Sequence, residues 1–476
     1  MEYTVLSAYR IRPGTLTLWS ATRVPGTEWN FDDRPLTSVH KEYYRSFDTE
    51  DIYPGRGHWI GAVFEMDAPF NARTVRDLLW VWHARHEGLR TTVAGASKPQ
   101  DRLTRLTCDE LDVDIVNERI ADAATSAQIN DRLTAELELR LSPLVWPHCL
   151  IATVEHHDTG NFTLLVGADH SVMDAYSQIL IVTELRSLYH ALLDGTAVRA
   201  SDVHASPADY ALLERHAGAA LTAESPAVAL WRELLEVGDG KLPRFQVPTP
   251  TDIPPSSCPQ INLSRWLLND TEAAAIEAAV TALGYRLTTA VFAAVTLASN
   301  RLSGTVNFRT VMPVASRPDK RWSESIGWFV NMVPMQISLP GDSDLTHALA
   351  VTANALHQAK VAWTAPALDI LEILNVTEVP RFAISFFDVR RTLDNELTTA
   401  LRGRVLRADS YSLDEVYFWI ARTADGLNIS ARFPYSHSAA VQRFVEMFTA
   451  ALREFGAGIP SIKGDGAVSP ASARAV

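Results

Sequence analysis

Cysteine is scarce in this sequence. Cys108, Cys149 and Cys258 stand far apart in 476 residues with no paired spacing, which argues against a disulfide framework and against a thiolate zinc site. A reducing, intracellular setting is expected. Long apolar runs are also missing, since no stretch reaches the length of about 18 residues that a membrane span needs. The start, Met1-Glu2-Tyr3-Thr4, lacks the basic head and apolar core of a secretory leader. A cytoplasmic protein with no integral membrane span is the expectation. Positive charge is in deficit, with 43 Lys and Arg against 56 Asp and Glu and a net charge of -13. Nucleic acid is therefore not an expected partner, because phosphate binding calls for a basic footprint. Absent as well are a Gly-x-Ser-x-Gly elbow, a Gly-Lys-Ser/Thr phosphate loop, a Gly-x-Gly-x-x-Gly fingerprint and a His-Glu-x-x-His motif. His156-His157-Asp158 has no third ligand at sensible spacing and reads as a surface loop before Gly160, so no metal is expected.

What is present is the composition of a globular chain, 47% hydrophobic and 21% charged. The length exceeds one ordinary core and predicts two domains of roughly 200 residues each. Strand and helix patterns alternate. Strands are expected at 59–66, 89–93, 147–154 and 162–166, with helices over 71–86, where Gly88 is the candidate C-cap, and 121–139. Helices near 206–210 and 226–235 precede a Pro-, Gly- and Ser-rich stretch over 241–260, read as a linker. Beyond it come a strand at 262–268, helices at 271–283 and 287–300, and strands at 306–314, 329–339 and 382–389. A hairpin around Asp425-Gly426 and a helix at 439–455 close the pattern. The organisation is thus an N-terminal lobe over 1–200, a helical connector and linker over 201–260, a C-terminal lobe over 261–460, and a disordered tail over 461–476.

The stretch from Asn161 to Asp174 is the candidate for chemistry. An apolar strand, Phe162 to Val166, leads through a small-residue turn into Asp169-His170, and from Asp174 onward Ile179, Val182, Leu185 and Leu188 mark one face of a helix. A strand, turn and helix in this order can present an imidazole at the rim of a sheet, where its near-neutral pKa suits it to accept and return a proton. The spacing alone is more often that of a satisfied core pair.

Five ordered stretches add a resemblance. Arg85-His86-Glu87-Gly88-Leu89-Arg90-Thr91 resembles an Arg-His-Glu-x-Leu-Arg-Thr segment, and Asp169-His170-Ser171-Val172-Met173-Asp174-Ala175 stands where a His-His-x-x-x-Asp-Gly motif belongs. Asp209-Tyr210-Ala211, Met312-Pro313-Val314-Ala315-Ser316-Arg317 and Ile326-Gly327-Trp328-Phe329-Val330-Asn331 resemble the three later segments. Together they resemble the condensation-domain superfamily, which includes chloramphenicol acetyltransferase, and within it the polyketide-associated acyltransferases that esterify trehalose and related sugars. Two departures stand out. Asp169 replaces the first histidine, as in the trehalose type, and Ala175 replaces the usual glycine, which puts close approach of substrate to that turn in doubt.

The resemblance implies an α/β (α+β) fold of two chloramphenicol-acetyltransferase-like lobes in a V-shaped pseudo-dimer, with a tunnel between them and His170 midway. It implies an O-acyltransferase that uses no cofactor and takes acyl-CoA or a phosphopantetheine thioester as co-substrate, an acyl carrier protein being a possible partner. The implied acceptor is a small-molecule hydroxyl, trehalose-like at first guess. In this reading His170 is the catalytic base, Asp174 pairs with Arg317 to hold the active-site loop together with Asp169, and Ser177, Tyr176, Asn331 and Trp328 are candidates to line the substrate path. Amide formation of the nonribosomal-peptide type, or a catalytically silent recruitment module, stay open as alternatives.

Overall fold

A computed structural model describes residues 3–47, 58–95, 103–249, 260–341, 343–390 and 395–457. Most of the linker expected at 241–260, including Cys258, and the tail from 458 onward lie outside the described residues. Cys108 and Cys149 are free and buried. No single described helix is long and apolar enough to cross a membrane.

Two sheets organise two lobes of mixed helix and strand. The first has seven strands in the order Tyr3–Thr4, Arg404–Arg407, Trp59–Pro69, Asn161–Asp169, Cys149–Glu155, Gly14–Arg23 and Val113–Ala124. It is antiparallel apart from the edge pair Tyr3–Thr4 and Arg404–Arg407. Its central strand Asn161–Asp169 is buried along nearly its whole length, which is why it reads as an apolar run rather than an alternation. Helices Ala72–Arg85 and Ala175–Leu193 cover one face through Val75, Leu78, Trp82, Val182 and Leu185, and Ser126–Arg140 covers the other through Ile129, Leu133 and Leu137.

The second sheet has six strands, Ile261–Asn269, Gly426–Phe433, Val416–Thr423, Phe382–Asp388, Asn307–Ala315 and Val330–Ser338. Its apolar face packs on Leu287–Ser303, Leu345–Ala359 and Ser438–Gly456. Leu287–Ser303 is buried nearly all round and stops at Gly304, whose φ of +72° only glycine adopts freely.

Several expectations need correction. The lobe boundary at 261–460 is crossed, because strand Arg404–Arg407 joins the first sheet and Leu401 packs in the first core. Helix Pro226–Glu236 is no free-standing connector, since Ala227, Val228, Trp231 and Leu234 belong to the second core. The helix expected over 121–139 begins at Ser126, behind a Thr125 and Gln128 capping box, because residues up to Ala124 form an edge strand. Residues 87–90 form a 3-10 turn, so that strand starts at Thr91, and His86 rather than Gly88 caps the preceding helix. Of the surface loop expected at 156–158, His157 and Asp158 are exposed in a turn, but His156 is buried and bonded to Thr163 Oγ1 at 2.8 Å.

The position of the Asn161–Asp169 strand depends on a close approach at Gly61, where an added Cβ would stand 2.1 Å from the Val166 carbonyl oxygen. The Gly61 carbonyl also accepts a hydrogen bond from Gln178 Nε2 at 2.6 Å, and that amide reaches the Leu406 carbonyl at 2.7 Å. Gly61→Ala is expected to cost roughly 1–3 kcal/mol by overpacking, read as a lower thermal midpoint by circular dichroism. An unchanged midpoint would contradict this packing.

Candidate active site

His170 stands where the central strand of the first sheet ends. Asp169 caps a 3-10 turn over His170–Val172 by accepting from Ser171 N at 2.8 Å, and the His170 amide donates to the His58 carbonyl at 3.0 Å. The turn ends at Met173, and Asp174 starts the next helix by accepting from the Ser177 amide at 2.7 Å. Ala175 is the first residue of that helix with ordinary right-handed backbone, so glycine's freedom is not needed there.

Asp174 turns away from His170 into a buried knot. Its carboxylate accepts from Arg317 Nη1 at 2.9 Å, Arg317 Nη2 at 3.2 Å, Ser177 Oγ at 2.7 Å and the Phe329 amide at 3.0 Å. Burial drives this carboxyl's pKa upward, but the Arg317 charge and the surrounding donors outweigh burial and hold it below the usual value. Arg317 also donates to the Trp322 and Ser325 carbonyls, at 3.1 Å each, and its guanidinium lies between the Tyr176 and Phe329 rings, 4.4 Å from both.

His170 is partly exposed. Its Nδ1 is shut from solvent with no hydrogen-bond partner of normal geometry, and no described residue bonds Nε2. Burial lowers the pKa, opposed by the ring's own backbone carbonyl, by the Asp174 charge and by the Met173 backbone, and reinforced by Arg432. The ring is thus held neutral, with Nε2 as the nitrogen free to take a proton.

Of the four candidate lining residues, Trp328 is the one set against the imidazole, with ring centroids 4.4 Å apart. Tyr176 serves as the platform under Arg317. Ser177 is a correction: it is fully buried, its hydroxyl donates to the Asp174 carboxylate and accepts from the Gly327 amide at 3.2 Å, and so fastens the two lobes. Asn331 is another, because its amide donates to the Ala362, Trp363 and Ala365 carbonyls and its oxygen accepts from Ala367 N. In both cases every polar atom is spent on protein.

Sequence reasoning missed the ring of side chains around His170. Helix Ser38–Ser46 supplies His40, whose Nε2 bonds the Ser171 carbonyl at 2.7 Å, and Tyr43, whose hydroxyl donates to Asp169 at 3.1 Å. Both pack on Trp328. The Thr37 N-cap before Ser38 was the available signal.

His86, Glu184 and His204 place three ligand-type atoms within 4.8 Å. The two imidazoles are stacked, 4.6 Å apart and 14° from parallel, so their in-plane lone pairs run side by side and do not converge on one ion. The Ile326 amide donates to His86 Nδ1 at 3.3 Å, which leaves the proton on Nε2 facing Glu184 at 2.9 Å. The cluster is a hydrogen-bonded clamp between lobes.

Asp169 carries the opposite electrostatic signature to Asp174. Burial pushes its pKa up to about 6, against which Ser171 and Tyr43 pull only partly. Between 3.8 and about 6 the folded chain holds a proton that the unfolded chain releases, so this group's contribution to stability falls as pH rises through that window. Asp169→Asn is expected to flatten that slope and to gain roughly 2–3 kcal/mol near neutral pH, measured by denaturant unfolding at several pH values. A variant whose deficit grows from pH 4 to pH 7 would contradict this.

Comparison with known proteins agrees with the geometry. The chain is 25% identical over 299 residues to "Acyltransferase PapA3" of Mycobacterium tuberculosis, covering 61% of this chain and 62% of that protein. It is 28% identical over 253 residues to "Trehalose-2-sulfate acyltransferase PapA2" of Mycobacterium bovis, covering 50% and 52%. The chain therefore spans about half to three fifths of the length of these curated relatives. Among solved structures, a PapA2 acyl transferase superposes with a TM-score of 0.83 at 20% identity, covering 96% of this chain and 100% of that one. The condensation domain of the Monacolin K polyketide synthase MokA gives 0.69 at 16% identity, covering 89% and 97%. These likenesses agree with the two-lobe architecture, and the condensation-domain family matches residues 45–454. A histidine at the end of the first sheet, an aspartate–arginine knot behind it and a family match over most of the length lead to one conclusion: this chain belongs to the condensation-domain family.

Proposed function

We propose that the protein is an O-acyltransferase that moves an acyl group from a thioester to a hydroxyl of a small-molecule acceptor, forming an ester in glycolipid or natural-product biosynthesis. The observation that carries this reading is His170: a partly exposed residue whose ring is held neutral with Nε2 unengaged, near an aspartate committed to Arg317, Ser177 and the Phe329 amide. The acceptor hydroxyl gives its proton to Nε2 as its oxygen attacks the thioester carbonyl carbon. The C–S bond then breaks, and the proton passes from Nε2 to the departing thiolate. No covalent acyl-enzyme is needed. Much of the remaining rate comes from holding both substrates together between the lobes, where effective molarity is worth several kcal/mol.

The donor, acyl-CoA or an acyl carrier protein, and a trehalose-like acceptor belong to the same proposal, as does a cytoplasmic location. The names of PapA3 and PapA2 support the acyl transfer, and that of PapA2 supports a sugar acceptor. The chemistry calls for no cofactor beyond the co-substrate.

The test is incubation of the purified chain with a panel of acyl-CoA donors and trehalose, read by mass. Ester formation is expected in the wild type, with a loss of about 10²- to 10⁴-fold in His170→Ala. Product that forms only with an amine acceptor would replace this reading with amide synthesis, and product undiminished in His170→Ala would overturn the role of the imidazole. Because the pKa of His170 is lowered, kcat/KM is expected to fall only on acidification below the ordinary imidazole value of 6.5. A midpoint above that value would contradict the burial argument.

A further inference from the structure

The second sheet has a face that its helices do not cover. Phe418, Ile420, Ile429, Ala431 and Phe433 point into the helical core, so the alternate residues Tyr417, Trp419, Ser430 and Arg432 point the other way, toward the first lobe. Trp419 meets Tyr3 of the first sheet at 5.8 Å, and the guanidinium of Arg407 lies beside this ring pair, 4.5 Å from Trp419 and 5.4 Å from Tyr3.

Arg407 is only 5% exposed. Its Nη2 donates to the Ala431 carbonyl at 3.3 Å, but Nε and Nη1 are shut from solvent without a partner, and no described carboxylate pairs with it. Arg432, next to Ala431 in the chain, places its guanidinium 6.0 Å from the same Trp419 ring, and its charge repels that of Arg407. Arg432 Nε is likewise buried and unpartnered, and its one carboxylate among the described residues, Glu415 at 3.5 Å, is bonded more closely by Arg381 at 3.0 Å. Burial first, and then Arg432, hold the Arg407 pKa down at about 9, and the Arg432 charge is also felt by His170 and His58. Register places the Arg407 backbone at the same end of the first sheet as the active-site turn. Arg407 stands opposite Ile60, and the neighbouring Trp59 stands opposite Asp169, two strand spacings or about 10 Å across the sheet end.

A pair of neighbouring cations with buried, unused donors is unfavourable unless something anionic meets them. A guanidinium fork suits the parallel oxygens of a sulfate or phosphate. We propose that Arg407 and Arg432 form a subsite for a tetrahedral oxyanion ester, a sulfate or phosphate carried by one of the substrates that meet at His170. The carrier's identity as donor or acceptor rests on the acyltransferase reading; the anion site itself does not.

The test has two arms on the full chain. In the first, thermal unfolding is followed against sodium sulfate and sodium phosphate, with chloride at matched ionic strength. General salting effects rise without saturation and are the same in all variants, whereas a site gives a saturating rise in midpoint. A saturating rise is expected in the wild type and in His170→Ala, and its loss in Arg407→Met and Arg432→Gln. The partly exposed Arg432 keeps the test decisive if Arg407→Met does not fold. In the second arm, KM is compared for acyl-CoA against the phosphate-free acyl-pantetheine and for sulfated against plain trehalose. Arg432→Gln is expected to raise KM by roughly 10- to 100-fold for the anionic member of one pair, which names the carrier. A saturating sulfate response without acyl transfer in the wild type would leave the subsite standing and sink the acyltransferase reading. Identical salt responses in wild type and variants, or no selective change in KM, would overturn the subsite.

Discussion

The ion pair between Asp174 and Arg317 is the constraint on which the rest of this structure depends. Its members are 143 residues apart and come from different lobes, yet they share a carboxylate and a guanidinium that are almost wholly enclosed. Such a pair contributes little over an apolar substitute, but removing one partner leaves an unpaired charge in a place that water cannot reach. Every donor around the carboxylate is therefore an anchor: Ser177 from its own helix, and the Phe329 amide from across the seam. The five dispersed motifs converge here. Glu87 and Asp209 both hold Arg34, Tyr210 donates to Ser316 at 2.7 Å and packs on Phe329, and the His86 ring receives the Ile326 amide.

This arrangement separates two duties that a histidine and a nearby aspartate often share. Asp174 is occupied by Arg317, Ser177 and the Phe329 amide, and its upward pull on the His170 pKa is outweighed by burial. Burial then keeps the ring neutral, and the charges of Arg432 and Asp174 act on it in opposite senses. The imidazole is left as a base held by the turn's backbone and faced by Trp328, while the ion pair maintains the loop that aims it.

Much of this was legible in the sequence, for identifiable reasons. The helices Ala72–Arg85, Ala175–Leu193 and Ser438–Gly456 carry apolar stripes of helical period, and the central strands are continuous apolar runs, so both declare themselves locally. Strand Val113–Ala124 does not, because it is an edge strand with charged residues on both faces and merges into the helix pattern that follows. The partnership of Asp174 with Arg317 came from ordered motifs. What could not be read was where side chains spend their hydrogen bonds: Ser177 and Asn331 have the polarity of lining residues, but their partners sit in distant segments. Arg407 was equally hidden, since only the return of its strand to the first sheet brings it near His170.

The measurement that bears most directly on the central claim is a double-mutant cycle on Asp174→Asn and Arg317→Met, read by equilibrium unfolding. If the pair is the keystone between the lobes, each single change costs about 3–5 kcal/mol and the double change costs no more than either alone. Two modest, additive losses would mean that the lobes are held together elsewhere, and that the pair only accompanies the active-site turn.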